Sequence, residues 1–211
     1  MTADVSEVKS RPRRERAAAT KRSILHAAHQ LFCARGYQGT TMAAIAAEAG
    51  VAIQTVYFVF HTKPELLTAV IDAAVLGDTP VPPTETAWWR EATSSTDAHD
   101  AIAAFVRGVT EIQHRVGELD LVVRAGAGAD PELGEVWAHH ERLRQQAFQS
   151  FAQTFEERGF LHDRLSVGDA TDILMTLLGS MTYLAFTRDR HWGDERFATF
   201  TKQALADALL R

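Results

Sequence analysis

Apolar residues recur along most of this chain at spacings of three and four, the period that lines one face of an α-helix. Ile24, Ala27, Ala28, Leu31 and Phe32 form the first such stripe, starting near Thr20, and Gly36 ends it. Thr41 is placed to cap a short second helix over 42–49, with Ile45 and Ala46 inward and Gly50 closing it. A third helix begins near Ala52. Thr62-Lys63-Pro64-Glu65 has the form of a capping box with proline in the first turn. It opens a fourth helix through Leu66, Leu67, Val70, Ile71 and Val75 to Gly77.

The segment 77–96, with Pro80, Pro82 and Pro83, breaks the pattern and is expected to be a loop, though Trp88 and Trp89 argue that part of it packs. Beyond it the periodicity predicts helices over about 97–116, 118–127, 131–159, 167–188 and 195–211. Asp130 with Pro131, and Ser166 with Asp169, supply two of the starts. No run of alternating residues marks a strand. The expected fold is all-α with about nine helices. It divides into an N-terminal arm (1–19), a three-helix helix-turn-helix head (20–65) and a larger helical body (66–211).

One stretch resists this reading. "GVAIQTVYFVFHTK", from Gly50 to Lys63, is rich in β-branched and aromatic residues and by propensity alone would be a strand. The turn glycine before it and the capping box after it favour a helix. Laid out at about 100° per residue, residues 52–60 put Val56 and Phe60 on one face, with Gln54 and Phe58 pointing the opposite way beside Thr55 and Tyr57. Two short helices joined through Ala49-Gly50-Val51 match the tight crossing of a helix-turn-helix, whose second helix projects outward. Gln54 then faces a groove, where its amide suits adenine N6 and N7 together. Ile53, Phe58 and Val59 are suited to thymine methyls, to sugars or to packing.

Charge sharpens that picture. The net charge of −5 hides an asymmetry: residues 1–70 hold nine Lys and Arg against five Asp and Glu, while the remainder holds 13 against 22. A basic head on an acidic body suits a head that meets a polyanion. "RPRRER", with Arg13 and Arg14, lies just before the first helix and is a candidate for phosphate or minor-groove contact. With 46% hydrophobic and 23% charged residues, the composition is neither disordered nor fibrous. The lone Cys33 excludes an internal disulfide and points to a reducing compartment. No stretch approaches the roughly 20 apolar residues of a membrane span. The basic N-terminus lacks the apolar run of a secretory signal. A cytoplasmic protein without a membrane partner is expected.

The residues "GYQGTTMAAIAAEAGVAIQTVYFVFHTKPELL" closely resemble the DNA-binding domain of TetR-family transcriptional regulators, over about Lys21 to Val70. The resemblance implies phosphate contacts at Thr41 and Lys63, and contact positions at Thr55 and Tyr57 on the recognition helix, with His61 close by. Ala43, Ala44, Ile53 and Val59 depart from the polar residues common in the family, so direct hydrogen-bond readout is expected to be sparse.

In the body, the helix expected over 167–188 is apolar nearly all round, which calls for burial on two sides: its own core and a second subunit. The family resemblance implies a four-helix bundle made by the last two helices and their symmetry mates. The expected homodimer face comprises Ile173, Leu177, Met181, Leu184, Phe197, Phe200, Ala204, Leu205 and Ala208. A twofold dimer reads a palindromic operator on double-stranded DNA, with half-sites about 34–36 Å apart. The resemblance also implies an apolar cavity for a small hydrophobic effector. Its candidate lining is Phe105, Val109, Ile112, Trp137, His140, Phe148, Met175 and Tyr183, with Arg124 as an anchor for an acidic group.

Nine histidines invite a metal hypothesis, but neither His26 with His29 nor His139 with His140 has the further ligands that zinc requires nearby. No nucleophile elbow, phosphate loop or H-E-x-x-H motif occurs, so no catalytic residues, metal or cofactor are expected. The leading expectation is a ligand-released repressor. A TetR-like activator or ligand-independent regulator, and an all-α enzyme with an incidental helix-turn-helix, stay open at this point.

Overall fold

The computed structural model describes the backbone of residues 5–77 and 81–211, and the side chains of 14–77 and 81–211. Among these residues there are ten α-helices and one short 3-10 turn, and the all-α expectation is met. The one β-type pairing is an isolated bridge between Leu161 and Leu210. The chain divides into two compact units, Met1–Ala73 and Ala74–Arg211. The division falls inside the fourth helix rather than at its start.

The head contains α1 (Val5–Arg35), α2 (Met42–Glu48), α3 (Ile53–Val59) and the first turns of α4 (Lys63–Leu76). The arm expected to be flexible is, from Val5, continuous with α1. The alanine run at 17–19 and the arginines before it are good helix formers, and the helix extends N-terminal of Thr20 although Pro12 lies within it. Gly36 and Gly50, at φ 69° and 66°, terminate α1 and α2 in the left-handed conformation that glycine adopts without penalty. The side chain of Thr40 locks the turn between them, its single hydroxyl proton shared between Leu31 O (3.0 Å) and Gly36 O (2.8 Å).

Helix α3 is the segment with strand-like composition, and it is a helix. It has only seven residues and its N-cap, Ala52, offers no side-chain hydrogen bond, so local propensity does not sustain it. Burial does: Val56 is fully buried and Phe60, its C-cap, is 3% exposed. At the start of α4, Glu65 N–H donates to Thr62 Oγ1 (3.2 Å), while the Glu65 carboxylate reaches back to His61 N–H (3.2 Å) rather than to Thr62. The expected capping box is present in a form shifted by one residue.

The body contains α5 (Ala87–Ser94), α6 (Ala98–Ala127), α7 (Pro131–Glu157), α8 (Val167–Leu177), α9 (Ser180–Thr187) and α10 (Asp194–Leu209). Three expectations change here. The loop expected over 77–96 contains α5, which Thr86 caps and whose Trp89 is buried; Pro80 lies outside the described residues. The helices expected at 97–116 and 118–127 are one helix, α6, running straight through Gly117. That glycine is a packing residue rather than a stop: a Cβ there would lie 3.3 Å from the Tyr183 ring.

Conversely, the single helix expected over 167–188 is broken into α8 and α9 at Leu178 and Gly179. Gly179 is extended at ψ 155°, and a Cβ on it would lie 2.6 Å from Met175 O. The carbonyl freed at Leu178 accepts a hydrogen bond from Gln113 Nε2 of α6 at 2.7 Å. Both ends of the break therefore have a physical cause, and one of them lies 65 residues away in sequence.

The body core centres on Phe105 of α6, which is fully buried and stacked on Phe151 of α7 at 3.9 Å. Phe148 and Trp88 meet it edge-on at 5.2 and 6.0 Å. Gly108, one turn further on, is where Trp88 lies against α6; a Cβ there would come within 2.0 Å of the indole. Tyr183, Leu184 and Phe197 make a second, smaller cluster.

Candidate nucleic-acid interface and the body sites

The head presents α3 outward on a rigid base. Ser23 of α1 donates to Ala49 O (3.1 Å), and Val51 N–H to Ala46 O (3.0 Å), which ties the turn between α2 and α3 to the rest of the head. Thr41 caps α2 by accepting from Ala44 N–H at 3.1 Å. It is exposed, so its second oxygen lone pair and its proton are open to a partner outside the protein.

With Val56 pointing inward, the opposite ridge of α3 carries Gln54 and Phe58, both exposed. Phe58 is 85% exposed and Tyr57 48%. Ile53, Thr55 and Val59 flank them, half-buried. The helix contains no acidic residue. Ile53, Gln54, Thr55, Tyr57 and Phe58 therefore form one surface. His61 is exposed at its end, its Nδ1 3.3 Å from the Glu65 carboxylate.

Lys63 is placed differently from what the resemblance implied. Its ammonium donates to Tyr37 O (3.0 Å) and Thr40 O (3.1 Å) and sits 3.9 Å from the centre of the Tyr37 ring. A long basic side chain beside a glycine-containing turn finds two carbonyls and an aromatic face closer than solvent. In this structure Lys63 holds the 37–40 turn that leads into Thr41, rather than reaching outward. Arg14 is exposed on α1, and the Arg13 side chain lies outside the described residues.

Residues 24–70 match the family model for bacterial regulatory proteins of the tetR family. The head is a tetR-family DNA-binding domain. Solved structures of the same fold cover nearly the whole chain. NalD from Pseudomonas aeruginosa, the secondary repressor of the MexAB-OprM multidrug efflux pump, is 22% identical over 92% of this chain and 98% of its own, with a TM-score of 0.68. FadR from Bacillus subtilis, solved with stearoyl-CoA, is 15% identical over 87% of this chain and 96% of its own, at 0.68. A regulator from Mesorhizobium loti assigned to the TetR family is 23% identical over 93% and 99%, at 0.67. At such identities these likenesses establish the fold. No curated protein matches the chain. The family match thus assigns residues 24–70, the head, to the tetR-family DNA-binding type.

In the body, the residues expected to line an effector cavity do not gather in one place. Phe105, Val109 and Phe148 are buried in the main core, with Met175 packed against it. Tyr183 belongs to the second cluster, where its hydroxyl donates to Asp194 Oδ1 at 2.6 Å; burial and that carboxylate raise its pKa. Arg124 lies 5.7 Å from the Trp137 ring. His140 Nδ1 is 2.9 Å from Val136 O, and Ile112 is half-buried. The space around Phe105 is filled by aromatic rings rather than open.

The expected dimer face divides in the same way. Met181 and Phe200 are 51% and 43% exposed, and Ile173, Leu177, Ala204 and Ala208 are half-buried. Leu184, Phe197 and Leu205 are buried at 5%, 0% and 0%, inside the monomer. For these three the expectation is corrected. The periodic stripe that carries them faces the protomer's own core.

Periodicity alone also passes over a buried polar relay. Gln113 is 3% exposed; its Nε2 donates to Leu178 O, and its Oε1 accepts from the Ser180 hydroxyl at 2.9 Å. The same hydroxyl touches the Asp120 carboxyl. Ser180 has one proton, shared between two acceptors, the Gln113 amide oxygen and the Asp120 carboxylate. Burial raises the Asp120 pKa, against the opposing pull of the Ser180 hydroxyl and of Arg144, whose Nη1 is 3.6 Å away. The signal in the sequence was a glutamine and an aspartate seven residues apart within a mostly apolar helix.

A group whose folded pKa is raised stabilises the fold below its unfolded value and loses that contribution as pH rises through the folded value. Asp120 therefore costs stability as pH rises above the ordinary aspartate range and through its raised value. Asp97 and Asp169 behave oppositely: backbone N–H groups hold Asp97 low, and the Ser166 hydroxyl and N–H hold Asp169 low, so their contribution is lost on acidification. Asp120→Asn keeps a neutral acceptor for the Ser180 hydroxyl at every pH and buries no charge. Thermal unfolding is expected to show the variant as stable as the native chain or more so at neutral pH, with the difference closing toward pH 4. A difference that widened on acidification would contradict the relay.

Proposed function

We propose that this chain is a homodimeric repressor that binds a palindromic operator through α3 of each protomer and is released by a small hydrophobic effector. The observation that carries the reading is the outward surface of α3, with Gln54, Tyr57 and Phe58 exposed and no carboxylate among them, on a basic head. Gln54 pairs with adenine, Thr41 and Thr55 reach phosphate, and Lys63 acts by holding the turn that positions Thr41. Arg13 and Arg14 add salt-sensitive attraction. His61 and Ile53 border the contact.

Met181 and Phe200, with Ile173, Leu177, Ala204 and Ala208, form the apolar patch by which the protomers pair. The body responds to an effector, a reading supported by a fold relative that was solved with stearoyl-CoA. Entry requires the rings around Phe105 and Phe148 to part. The effector then favours a body arrangement that moves α4, whose last turn is held by Arg115 through Ala74 O (2.7 Å) and Val75 O (3.1 Å). This is a population shift, and it needs an effector that prefers one dimer state over the other. The protein acts in the cytoplasm, where its DNA is.

Selection of bound duplexes from random DNA with the purified full chain tests this. The expected result is a near-palindrome with half-sites about one turn apart. Its affinity should fall steeply with salt, log K declining linearly against log salt. Recovery of no preferred sequence at low salt would end the reading. Repeating the titration with a panel of hydrophobic compounds is expected to find one that lowers operator affinity. Reporter expression that falls rather than rises when the protein is removed would mark an activator.

A further inference from the structure

Phe58 is the most exposed large apolar side chain described in the protein, at 85%. A phenylalanine so placed forgoes the burial that makes the residue useful and gives nothing to the core. It occupies the outermost ridge of α3 with Gln54, four residues earlier, while Val56 and Phe60 hold the opposite face inside the head. Ile53 and Tyr57 border this ridge on one side, Thr55 and Val59 on the other. Of the seven residues of α3 only Gln54 carries an amide and none carries a charge. A surface of this composition can form few hydrogen bonds to base edges.

The major groove offers one apolar feature, the C5-methyl of thymine. We infer that Phe58 is a specificity-determining residue of this protein, reading a thymine methyl in each half-site while Gln54 reads an adenine. The inference rests on the operator-binding reading above and specifies how that operator is recognised. Four residues along a helix advance about 6 Å, close to two base-pair steps of about 3.4 Å each. The adenine pair and the methyl-bearing pair are thus about two steps apart when the helix runs along the groove. The occupant is duplex DNA rather than a protein because the head is basic overall while the body is acidic. A protein partner for the same ring would show instead as self-association or as loss of solubility tied to Phe58.

Replacement of thymine by deoxyuridine removes only the methyl and leaves every hydrogen-bonding group of the base pair intact. The test uses the full chain and an operator obtained by selection, with deoxyuridine introduced at one thymine per half-site in turn. One position is expected to lower affinity about fourfold per half-site, the effect of one buried methyl. Phe58→Ala, on an exposed position, should retain the native unfolding temperature. It should bind the same operator more weakly and lose its response to deoxyuridine at that position. Phe58→Leu, still apolar, should keep part of that response.

Native protein indifferent to deoxyuridine at every thymine overturns the inference. So does a Phe58→Ala variant that binds as tightly as the native chain or responds to deoxyuridine as it does. All of these leave operator binding intact. A selection that returns no preferred sequence overturns operator binding and this inference together.

Discussion

Phe105→Ala is expected to lower the stability of the body by about 3–5 kcal/mol, the range for removing a large buried ring. Phe105 is fully buried and stacked at 3.9 Å on Phe151, with Phe148 and Trp88 edge-on around it. Those rings come from three helices, and their backbones cannot all close on the void. At this chain length the change corresponds to a fall in unfolding temperature of about 10 °C or more, read by circular dichroism. Phe105 belongs to the core cluster of the body. A domain-resolved readout such as hydrogen exchange should therefore show protection lost first in α5, α6 and α7. A loss under about 1 kcal/mol would mean that the site collapses readily, which for a body expected to admit an effector would itself be informative.

Met181→Glu combined with Phe200→Glu is expected to leave a folded monomer that binds an operator at least a hundredfold more weakly. Both side chains are about half exposed, so charge is accommodated in the free protomer. On a twofold axis each substitution meets an apolar patch, and across the dimer four carboxylates are desolvated. Operator affinity then falls because two linked heads bind with the advantage of effective concentration, worth about 10² to 10⁴. Sedimentation gives the oligomeric state and titration of labelled operator gives the affinity. A variant that remained dimeric would move the interface elsewhere on the body. The control is Leu205→Ala: this residue is fully buried in the protomer, and its loss should reduce stability without changing the oligomeric state directly.

Much of the head was legible because its signals are local. Gly36, Gly50 and Thr41 act within a turn of where they stand, and the i, i+3, i+4 stripe of α1 names its own buried face. Even α3, whose residues favour a strand, was recoverable from the angular separation of Val56 and Phe60 from Gln54 and Phe58. Lys63 shows the limit. Its position in the motif was plain, but its hydrogen bonds run to residues 23 and 26 positions back, and no local pattern says which way a flexible cation turns.

In the body the order of helices followed from periodicity, while their continuity did not. Gly117 and Gly179 look alike in sequence, and one lies within α6 while the other breaks α8 from α9. What separates them is the neighbour: Tyr183 lies against Gly117, while Gln113 supplies a donor to the carbonyl that the break at Gly179 leaves free. The same holds for the last helices. Their sequence declares apolar faces, yet Phe197 and Phe200, three residues apart, finish at 0% and 43% exposure.

The sequence by itself determined the all-α class, the helix ends carried by glycine and capping residues, and the tetR-family head with its outward α3. These depend on interactions within a few residues, where spacing is geometry. The tertiary structure alone decided the break between α8 and α9, the inward turn of Lys63, the relay through Gln113, Ser180 and Asp120, and the division of apolar residues between core and surface. Each of these depends on contacts between segments far apart in the chain, and an apolar stripe specifies that it must be covered without specifying by what.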